Sequence, residues 1–324
     1  MTVKAYSNSH RMKKYINIAR RLSNQVNSLY HKMSVEPVVY DLKNPKVLTG
    51  RLFATFNNQR SIVNLQDAEF QVFSQWGDDG IIQYLVNKID ISHKTFIEFG
   101  VENYTESNTR FLLINNNWSG LVMDGAEENI KYIKDDPISW AHELHAWPAF
   151  ITKENINSLL TRFLELGYSK DVGILSIDID GNDYWIWKEI DTINPIIVIS
   201  EYNSLWGPEN PWTVPYEADF YRRSEGNSIL HYGASLRSLC DLAEEKGYYL
   251  VGCNSAGNNA YFVRKDKIGT LKPLTPSDAY VLSKFRELWQ EENGPVSGRD
   301  RLKSTRGRKI YNTRSQQIET IPDA

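Results

Sequence analysis

Apolar runs of strand length alternate with helical patterns along the middle of the chain, from Phe70 onward. Strands without polar interruptions, separated by segments whose apolar positions recur every three or four residues, are typical of a parallel sheet that is covered on both faces. The pattern predicts an α/β fold with a doubly wound, mostly parallel sheet. The predicted strands are Phe96–Phe99, Gly120–Met123, Gly173–Asp178 and Ile196–Ser200, and the predicted helices are Thr105–Asn115, Asn155–Leu166 and Tyr184–Ile190.

The chain before this region has a different pattern. Residues 8–33 are polar and basic, with apolar side chains at three- and four-residue spacings, which predicts an amphipathic helix. Residues 34–65 contain several turn formers and no sustained period, which indicates a connector. We therefore divide the chain into an N-terminal helical appendage and connector (1–65), an α/β domain (66–270), and a C-terminal helix with a basic tail (271–324).

Helical and strand patterns continue after the predicted sheet. A helix over Ala234–Lys246 is expected to end at Gly247, because glycine adopts the left-handed conformation of a C-cap without strain. The segments Tyr248–Cys253 and Ala260–Val263 are predicted to pair as an antiparallel ribbon. Pro276–Glu292 is predicted to form one more helix, with its proline in the first turn.

The last part of the chain is strongly basic. Between residues 297 and 316 there are seven basic residues and the single acid Asp300, with few core formers. We expect a solvated tail, and the alternative is a contact with an anionic partner. The basic residues are Arg299, Arg301, Lys303, Arg306, Arg308, Lys309 and Arg314.

Composition excludes several classes of protein. The 324 residues include 37 Lys+Arg and 40 Asp+Glu, a formal charge of −3, so bulk electrostatic binding of nucleic acid is not expected. Hydrophobic residues make up 41%, which supports a folded core. No apolar run could span a membrane and no secretory signal is visible, so we expect a soluble, cytoplasmic protein. Cys240 and Cys253 belong to no ligand pattern, and two buried thiols are expected.

Polar residues follow the first two predicted strands. In an open parallel sheet, ligands bind at the carboxyl ends of the strands. Glu98 and Gly100 end the first strand, where a glycine turn lets a ligand approach the backbone. Asp124 ends the second strand, where an acid can bind the ribose hydroxyls of a nucleoside ligand. The alternatives are an ordinary glycine turn and an aspartate that caps a helix.

A group of acids follows the next two predicted strands. Asp178, Asp180 and Asp183 occur within six residues, and Glu201 and Asn203 follow the neighbouring strand. Like charges so close together repel one another unless a cation, a ligand amine or separate hydrogen bonds relieve the repulsion. Hard oxygen ligands suit Mg²⁺ or Mn²⁺, so Asp180, Glu201 and Asn203 are the predicted metal ligands. The alternative is that the acids cap helices and bind backbone amides.

A loop rich in aromatic and proline residues follows, over residues 202–221. At the ligand-binding edge, flat apolar rings with polar tips could form a substrate wall that suits sugar rings. The alternative is a loop that buries its aromatics over the domain or in a dimer contact. The aromatic side chains are Trp206, Trp212, Tyr216, Phe220 and Tyr221.

Two of the six histidines are candidates for a catalytic base. His145 is expected after a third strand, and His231 precedes the Ala234–Lys246 helix, so both could reach the active edge. An imidazole titrates near neutral pH and can accept a proton from a hydroxyl group. A non-catalytic role is the alternative for each.

These motifs resemble those of class I S-adenosylmethionine-dependent methyltransferases, and most closely those of FkbM-like proteins, which are often encoded with surface-polysaccharide genes. The resemblance implies a Rossmann-like fold. It also implies that Glu98 and Gly100 border the methionine end of the cofactor, that Asp124 binds the ribose hydroxyls, and that Asp178 lies near the transferred methyl group. The motifs are Phe96–Gly100, Asp124, Ser176–Tyr184, Glu201–Asn203, Ser74–Gly80 and Gly252–Asn254.

The resemblance has one departure and one extension. Glu102 and Tyr104 occupy positions where the family has glycines, and bulky side chains there fill space in which backbone and cofactor usually meet. The acids that follow the predicted strands Gly173–Asp178 and Ile196–Ser200 are similar to the ligand turns of metal-dependent O-methyltransferases. We therefore expect methyl transfer from S-adenosylmethionine to an oxygen of a small-molecule or glycan acceptor. The alternative, favoured by the altered turn, is a non-catalytic binding or assembly protein.

Overall fold

The structure is a computed structural model that describes residues 45–222, 229–284, 289–290, 294–295 and 298–322. The chain falls into two compact units, Met1–Thr49 and Gly50–Ala324. Only residues 45–49 of the first unit are described, and every strand in the described ranges belongs to the second. The helix predicted over residues 8–33 lies outside the described residues.

A seven-stranded mixed sheet forms the centre of the second unit. The strands run in the order β3-β2-β1-β4-β5-β8-β7, and all are parallel except β8, which lies antiparallel between β5 and β7. The order 3-2-1-4-5 is that of a Rossmann-like doubly wound sheet, so the predicted fold class is confirmed. The strands are β1 (Thr95–Phe99), β2 (Ser119–Asp124), β3 (Leu144–Pro148), β4 (Ile174–Ile177), β5 (Ile197–Glu201), β7 (Tyr248–Cys253) and β8 (Asn259–Arg264).

Helices cover both faces of this sheet. Alternate residues of each strand enter opposite cores: Ile97 packs with α6, α7 and α8, whereas Phe96 packs with α2, α3 and α4. The four predicted parallel strands and the antiparallel ribbon are confirmed, and Gly247 caps α8 with φ +83°. The helices are α1 (residues 45–59), α2 (Asp78–Lys88), α3 (Arg110–Asn116), α4 (Glu127–Asp135), α5 (Ile138–Ala141), α6 (Ile156–Leu164), α7 (Asp183–Glu189), α8 (Leu236–Lys246) and α9 (Pro276–Ala279).

The C-terminal region differs from the sequence predictions. The helix expected over Pro276–Glu292 ends at Ala279, because the chain turns to an extended conformation at Tyr280. The basic segment is not only a solvated tail: it contains a 3-10 helix over Gly298–Thr305, in which Arg301 is fully buried. Its strands β11 (Lys309–Asn312) and β12 (Gln317–Thr320) join β6 (Trp212–Thr213) in a small antiparallel sheet, while β9 (Trp289–Gln290) pairs with β10 (Gly294–Pro295).

Two further predictions concern the chemistry of the chain as a whole. Cys240 and Cys253 are both free thiols; Cys253 is buried, as predicted, whereas Cys240 is only partly buried. None of the helices in the described ranges has the length and apolar character that a membrane crossing needs.

Candidate functional site

A cleft of about 700 Å³ opens at the carboxyl edge of the large sheet. The sheet order changes direction between β1 and β4, and this switch point is where ligands bind in doubly wound folds. The volume lies within the roughly 300–1,000 Å³ of typical ligand pockets. Six of the predicted site residues line the cleft: Glu98, Gly100, Asp124, Asp178, Asp180 and Glu201.

Gly100 joins the ends of β1 and β4. Its φ of +69° lies in the left-handed region, and its N–H donates to the carbonyl oxygen of Met123 at 2.9 Å. A Cβ at this position would lie 1.7 Å from the carbonyl oxygen of Asp178, which is far inside van der Waals contact. Glycine is therefore required because two backbone segments meet here.

The turn after Gly100 has a left-handed backbone conformation, which is typical of glycine, at two residues that are not glycine. Glu102 and Tyr104 have φ values of +47° and +62°. The Glu102 side chain is exposed, whereas the Tyr104 ring is fully buried and its hydroxyl forms a 3.0 Å hydrogen bond with Thr109. Tyr104 does not line the cleft, so its bulk does not fill the space as the sequence suggested. Each left-handed residue that is not glycine costs about 1 kcal/mol.

Glu98 anchors the loop that leads into α3. Its Oε1 accepts a hydrogen bond from the N–H of Asn108 at 2.8 Å, and its Oε2 accepts from the N–H of Thr109 at 3.0 Å and from the Thr109 hydroxyl. Asn108 and Thr109 are bound to Glu98 in this way, and α3 begins at Arg110, five residues after the predicted start. Burial raises the pKa of Glu98 to about 7.

Asp124 connects the tip of β2 to two neighbouring segments. Its Oδ1 accepts from the N–H of Ala126 and from Nδ2 of Asn129, both at 2.9 Å, and its Oδ2 accepts from the N–H of Glu102 at 2.8 Å. The carboxylate thus binds the turn that leads into α4, although the N-cap residue of this helix is Ala126 and not, as the capping alternative expected, Asp124. An ionised carboxylate has about four acceptor positions, so one remains for a ligand hydroxyl.

Three carboxylates converge on the other side of the switch point. Oxygen atoms of Asp178, Asp180 and Glu201 all lie within 4.8 Å of one another. Burial raises the pKa of Asp178 and of Glu201 well above the ordinary range, and repulsion from the neighbouring carboxylates raises both pKa values further. The Oε2 atom of Glu201 is buried and has no hydrogen-bond partner among the described residues. The repulsion in this group therefore has to be relieved by a proton, a hydrogen-bond donor or a cation.

Arg222 provides a positive charge beside these carboxylates. The sequence analysis did not identify this residue. Its Nη1 lies 2.6 Å from Oδ1 of Asp180, and its guanidinium stacks over the Tyr232 ring at 3.5 Å from the ring centroid. Its charge lowers the pKa of both Asp178 and Glu201, against the effect of burial. Nothing in the local sequence signals this role, because Arg222 and Asp180 are 42 positions apart.

Asp183 has a structural role in the same acidic run. Its carboxylate accepts from the N–H groups of Ile179 at 2.9 Å and Gly181 at 3.0 Å. Asp180 lies in this turn with φ +58°. Burial raises the pKa of Asp183 to about 6. One of the three acids therefore binds backbone amides, as the structural alternative predicted, and the turn directs the other two toward the cleft.

Asn203 does not belong to the carboxylate group. Its Nδ2 donates to the carbonyl oxygens of Leu230 at 2.9 Å and Tyr232 at 3.0 Å, and its Oδ1 accepts from the N–H of Leu205 at 3.1 Å. The side chain is buried and does not line the cleft. The structure thus corrects its assignment as a metal ligand: these bonds fix the chain after β5.

Neither candidate histidine reaches the cleft. His145 is the second residue of β3 rather than a residue after it, and its Nε2 forms a 3.0 Å hydrogen bond with the Tyr168 hydroxyl. His231 is buried, and its Nε2 donates to the carbonyl oxygen of Lys309 at 2.9 Å. Burial lowers the pKa of His231. The structure thus corrects both assignments as catalytic bases.

The aromatic loop divides between the cleft and a separate core. Phe220 and Tyr221 line the cleft, and the Phe220 ring packs against Gly181. Trp206 is buried in a small core that Trp212 also contacts. The Trp206 ring is thus buried, as the alternative expected, whereas Phe220 and Tyr221 lie where the predicted substrate wall would be. Other cleft residues that sequence reasoning left without a role are Gln75, Asn108, Asn258 and Asn259.

Comparisons with known proteins give similarities of fold. No protein-family model and no curated protein matches the chain. The chain is similar to the N-terminal domain of EvdMO1 with SAH bound, at 14% identity over 52% of this chain and 72% of that one, with a TM-score of 0.34.

Two further solved structures are similar to this chain. An S-adenosylmethionine-dependent methyltransferase from Clostridium acetobutylicum is 11% identical over 58% of this chain and 90% of that one, with a TM-score of 0.34. A putative caffeoyl-CoA O-methyltransferase from Staphylococcus aureus is 14% identical over 70% and 98%, also with a TM-score of 0.34. Because these scores are low, any assignment of function rests on the site itself.

Proposed function

We propose that the protein is an S-adenosylmethionine-dependent methyltransferase that methylates an oxygen of a small-molecule or glycan acceptor. One observation carries the proposal: a single cleft at the switch point has the ends of β1, β2 and β3 on one side and three converging carboxylates on the other. The first side suits a nucleoside cofactor, and the second suits the acceptor. The FkbM-like motifs support a sugar or glycoconjugate of surface-polysaccharide biosynthesis as that acceptor.

The residues on the β1–β3 side fit S-adenosylmethionine. Asp124 has an acceptor position left for a ribose hydroxyl, and Glu102 and Tyr104 have the left-handed backbone conformation that keeps the Tyr104 ring out of the cleft. Phe150 lies beside Gly125 and is half exposed, so it offers a flat apolar face to a base. The cofactor, when bound, supplies an electrophilic methyl group on its sulfonium.

The carboxylate side fits a hard divalent cation. Asp180 and Glu201 offer oxygen ligands. The buried Oε2 of Glu201 has no hydrogen-bond partner among the described residues, and a cation bound there would compensate for this. We propose Mg²⁺ or Mn²⁺ as this ion. When bound, such an ion lowers the pKa of a hydroxyl group that it contacts. Asn203 takes no part.

Proton removal is assigned to Asp178 instead of a histidine. S-adenosylmethionine, held on the β1–β3 side of the cleft, would supply the methyl group and keep the electron pair of the carbon–sulfur bond, so the acceptor hydroxyl must give up its proton. The hydroxyl proton passes to the Asp178 carboxylate. Asp178 lines the cleft where Gly100 meets the carboxylates, which places it between the proposed cofactor side and the acceptor side.

Titration with S-adenosylmethionine and with S-adenosylhomocysteine tests the proposal. Ligand at about 100 times its dissociation constant should add roughly 2.7 kcal/mol to the free energy of unfolding, a shift visible in thermal denaturation. Labelled cofactor, incubated with extracts of surface glycans, should then yield labelled product. No thermal shift at millimolar ligand would favour the non-catalytic binding or assembly protein, which the three internal hydrogen bonds of Asp124 also fit.

A further inference from the structure

Two neighbouring amides line the cleft beside the carboxylates. Asn259 begins β8 and lies directly opposite Glu201 in the antiparallel β5–β8 pair, so the two side chains are neighbours. Asn258 precedes it, and its carbonyl oxygen accepts from the N–H of Tyr202 at 2.7 Å. Both amides line the cleft, and both side chains are mostly buried. The sheet ladder uses only their main-chain groups, so the side-chain amides are available for other bonds.

A buried aspartate fixes the orientation of Asn259. Oδ1 of Asp78 accepts from Nδ2 of Asn254 at 3.0 Å, from Nδ2 of Asn259 at 2.9 Å, and from the hydroxyl of Tyr261. An oxygen that takes three donors is an acceptor, so both amides must turn their NH₂ groups toward it. The Asp78 network therefore does not use the side-chain carbonyl oxygen of Asn259 as an acceptor.

The same network orients Asn258 in the opposite sense. With its NH₂ group toward Asp78, Asn254 turns its Oδ1 to the N–H groups of Gly257, Asn258 and Asn259, at 3.0, 3.2 and 3.2 Å. Nδ2 of Asn254 also donates to Oδ1 of Asn258 at 2.8 Å. Asn258 therefore keeps its NH₂ group unused. Within the described residues, no side chain or backbone group bonds to Nδ2 of Asn258 or to Oδ1 of Asn259.

We infer that Asn258 and Asn259 bind the acceptor as one fixed donor and one fixed acceptor, and that they select a neutral ligand with adjacent hydroxyl groups. One hydroxyl oxygen accepts from Nδ2 of Asn258, and a neighbouring hydroxyl donates to Oδ1 of Asn259. Both amides are uncharged, so they match hydroxyl groups and offer no counter-charge to an ionised ligand.

This inference rests on the proposed function and adds the basis of acceptor recognition. A site with fixed polar groups rejects analogues that lack the matching hydroxyl, because its own buried groups would stay unpaired. Asp78 is a positioning residue in this scheme: it acts only through Asn254 and Asn259.

Glycoside binding by saturation-transfer NMR tests the inference, with and without S-adenosylhomocysteine. The probes are methyl α-D-glucopyranoside, methyl α-D-galactopyranoside and methyl α-L-rhamnopyranoside, with cyclohexanol as the single-hydroxyl control. The variants are Asn258→Asp, which turns the cleft donor into an acceptor, Asn258→Ala, which removes it without added charge, and Asp78→Asn, which lets the amides flip. Asn87→Asp and Asp90→Asn, at exposed positions, are the matched controls.

At least one glycoside should bind to the unmodified protein, and cyclohexanol should not. Each variant at Asn258 and Asp78 should weaken that binding about tenfold, with unchanged affinity for S-adenosylhomocysteine, while both controls behave as wild type. Equal glycoside affinity in the Asn258 variants, or binding of no glycoside, would overturn the inference. Absence of S-adenosylhomocysteine binding would instead overturn the proposed function. The two outcomes can be told apart because glycoside binding is also measured in the absence of S-adenosylhomocysteine.

Discussion

The backbone of Gly100 lies against the backbone of Asp178, so close that a Cβ on residue 100 would come within 1.7 Å of the carbonyl oxygen of residue 178. This contact joins the exit of β1 to the exit of β4. It also brings the proposed cofactor side and the carboxylate side into one cleft. The chain after Gly100 lines the cofactor side, and the chain from Asp178 to Asp180 lines the carboxylate side.

Gly100→Ala should destabilise the protein more than backbone strain alone explains. The new methyl group overlaps a main-chain atom that cannot move freely, and we expect a loss of at least about 3 kcal/mol in the free energy of unfolding. Gly167→Ala is the matched control, because Gly167 has φ +99° and a Cβ there would have no atom within 4 Å. It should lose about 1–2 kcal/mol. Equal losses in urea denaturation would contradict the close contact.

Asp124→Ala should reduce the affinity for S-adenosylhomocysteine at least tenfold, because charge-assisted hydrogen bonds contribute roughly 1.5–3 kcal/mol each. The same change removes the bonds to Ala126, Asn129 and Glu102, so stability should fall as well. Asn129→Ala removes one of these internal bonds and keeps the carboxylate. Calorimetry should show near-normal affinity for Asn129→Ala. A similar loss of affinity in both variants would show that Asp124 acts only through its internal hydrogen bonds.

Divalent cation binding should depend on Asp180 and respond to Arg222 in the opposite sense. Asp180→Asn removes a ligand charge and should weaken Mn²⁺ binding at least tenfold. Arg222→Met removes the cation that lies 2.6 Å from Asp180 and should tighten Mn²⁺ binding. Arg314→Met, which breaks an ion pair with Asp241 away from the cleft, is the control. Mn²⁺ binding is measured by electron paramagnetic resonance.

Removal of the cation should affect turnover more than cofactor binding. Excess chelator should abolish methyl transfer while S-adenosylhomocysteine affinity changes little, because the carboxylates lie on the proposed acceptor side of the cleft. Full activity in chelator, with no metal in the purified protein, would eliminate the ion from the mechanism. The Asp178 carboxylate would then have to accept the proton without help.

Asp79→Asn should change how stability depends on pH. Burial raises the pKa of Asp79 from 3.8 to about 6, so the folded protein holds this proton more tightly than the unfolded chain does. Its contribution to stability is present below pH 4 and is lost as the pH rises to about 6. The amide of the variant does not ionise, so the stability of the variant relative to wild type should rise across that pH window by up to roughly 3 kcal/mol.

The amide can replace the carboxylate because only one oxygen of Asp79 is used. Its Oδ2 accepts from the N–H groups of Val72, Phe73 and Ser74 and from the Ser74 hydroxyl, whereas Oδ1 has no partner among the described residues. Ser74→Ala removes a bond that lowers the pKa of Asp79, so it should steepen the pH dependence instead. Denaturant titrations between pH 4 and 8 measure both effects. Parallel curves for wild type and Asp79→Asn would contradict the raised pKa.

The sequence alone was sufficient for the parallel strands and for the acids that follow them. Strands such as β1 and β4 are buried on both faces, so most of their residues are apolar and the run is visible without knowledge of its neighbours. The carboxyl ends of such strands share one edge of the sheet. Glu98, Asp124, Asp178, Asp180 and Glu201 could therefore be assigned to one cleft before any contact was known.

Short elements and the C-terminal region were less predictable. The helical spacing after Pro276 continues to residue 292, yet the helix ends at Ala279, because Val281 and Ser283 instead form contacts with Tyr202 and Ser204. The local pattern does not show that tertiary contacts will be favoured over continuation of the helix. Likewise, the basic composition of residues 297–316 indicated solvent exposure, whereas Arg301 is buried against Ser283.

Tertiary structure alone decided which polar groups are used and which remain available. Arg222 reaches Asp180 across 42 positions, and Asp78 orients Asn259 across 181, so no local pattern contains either pair. The sequence shows that Asn203 follows a strand, but only the folded chain shows that its amide is already hydrogen-bonded. Hydrogen bonds and charges act over a few ångströms, and which groups come that close depends on how distant segments pack.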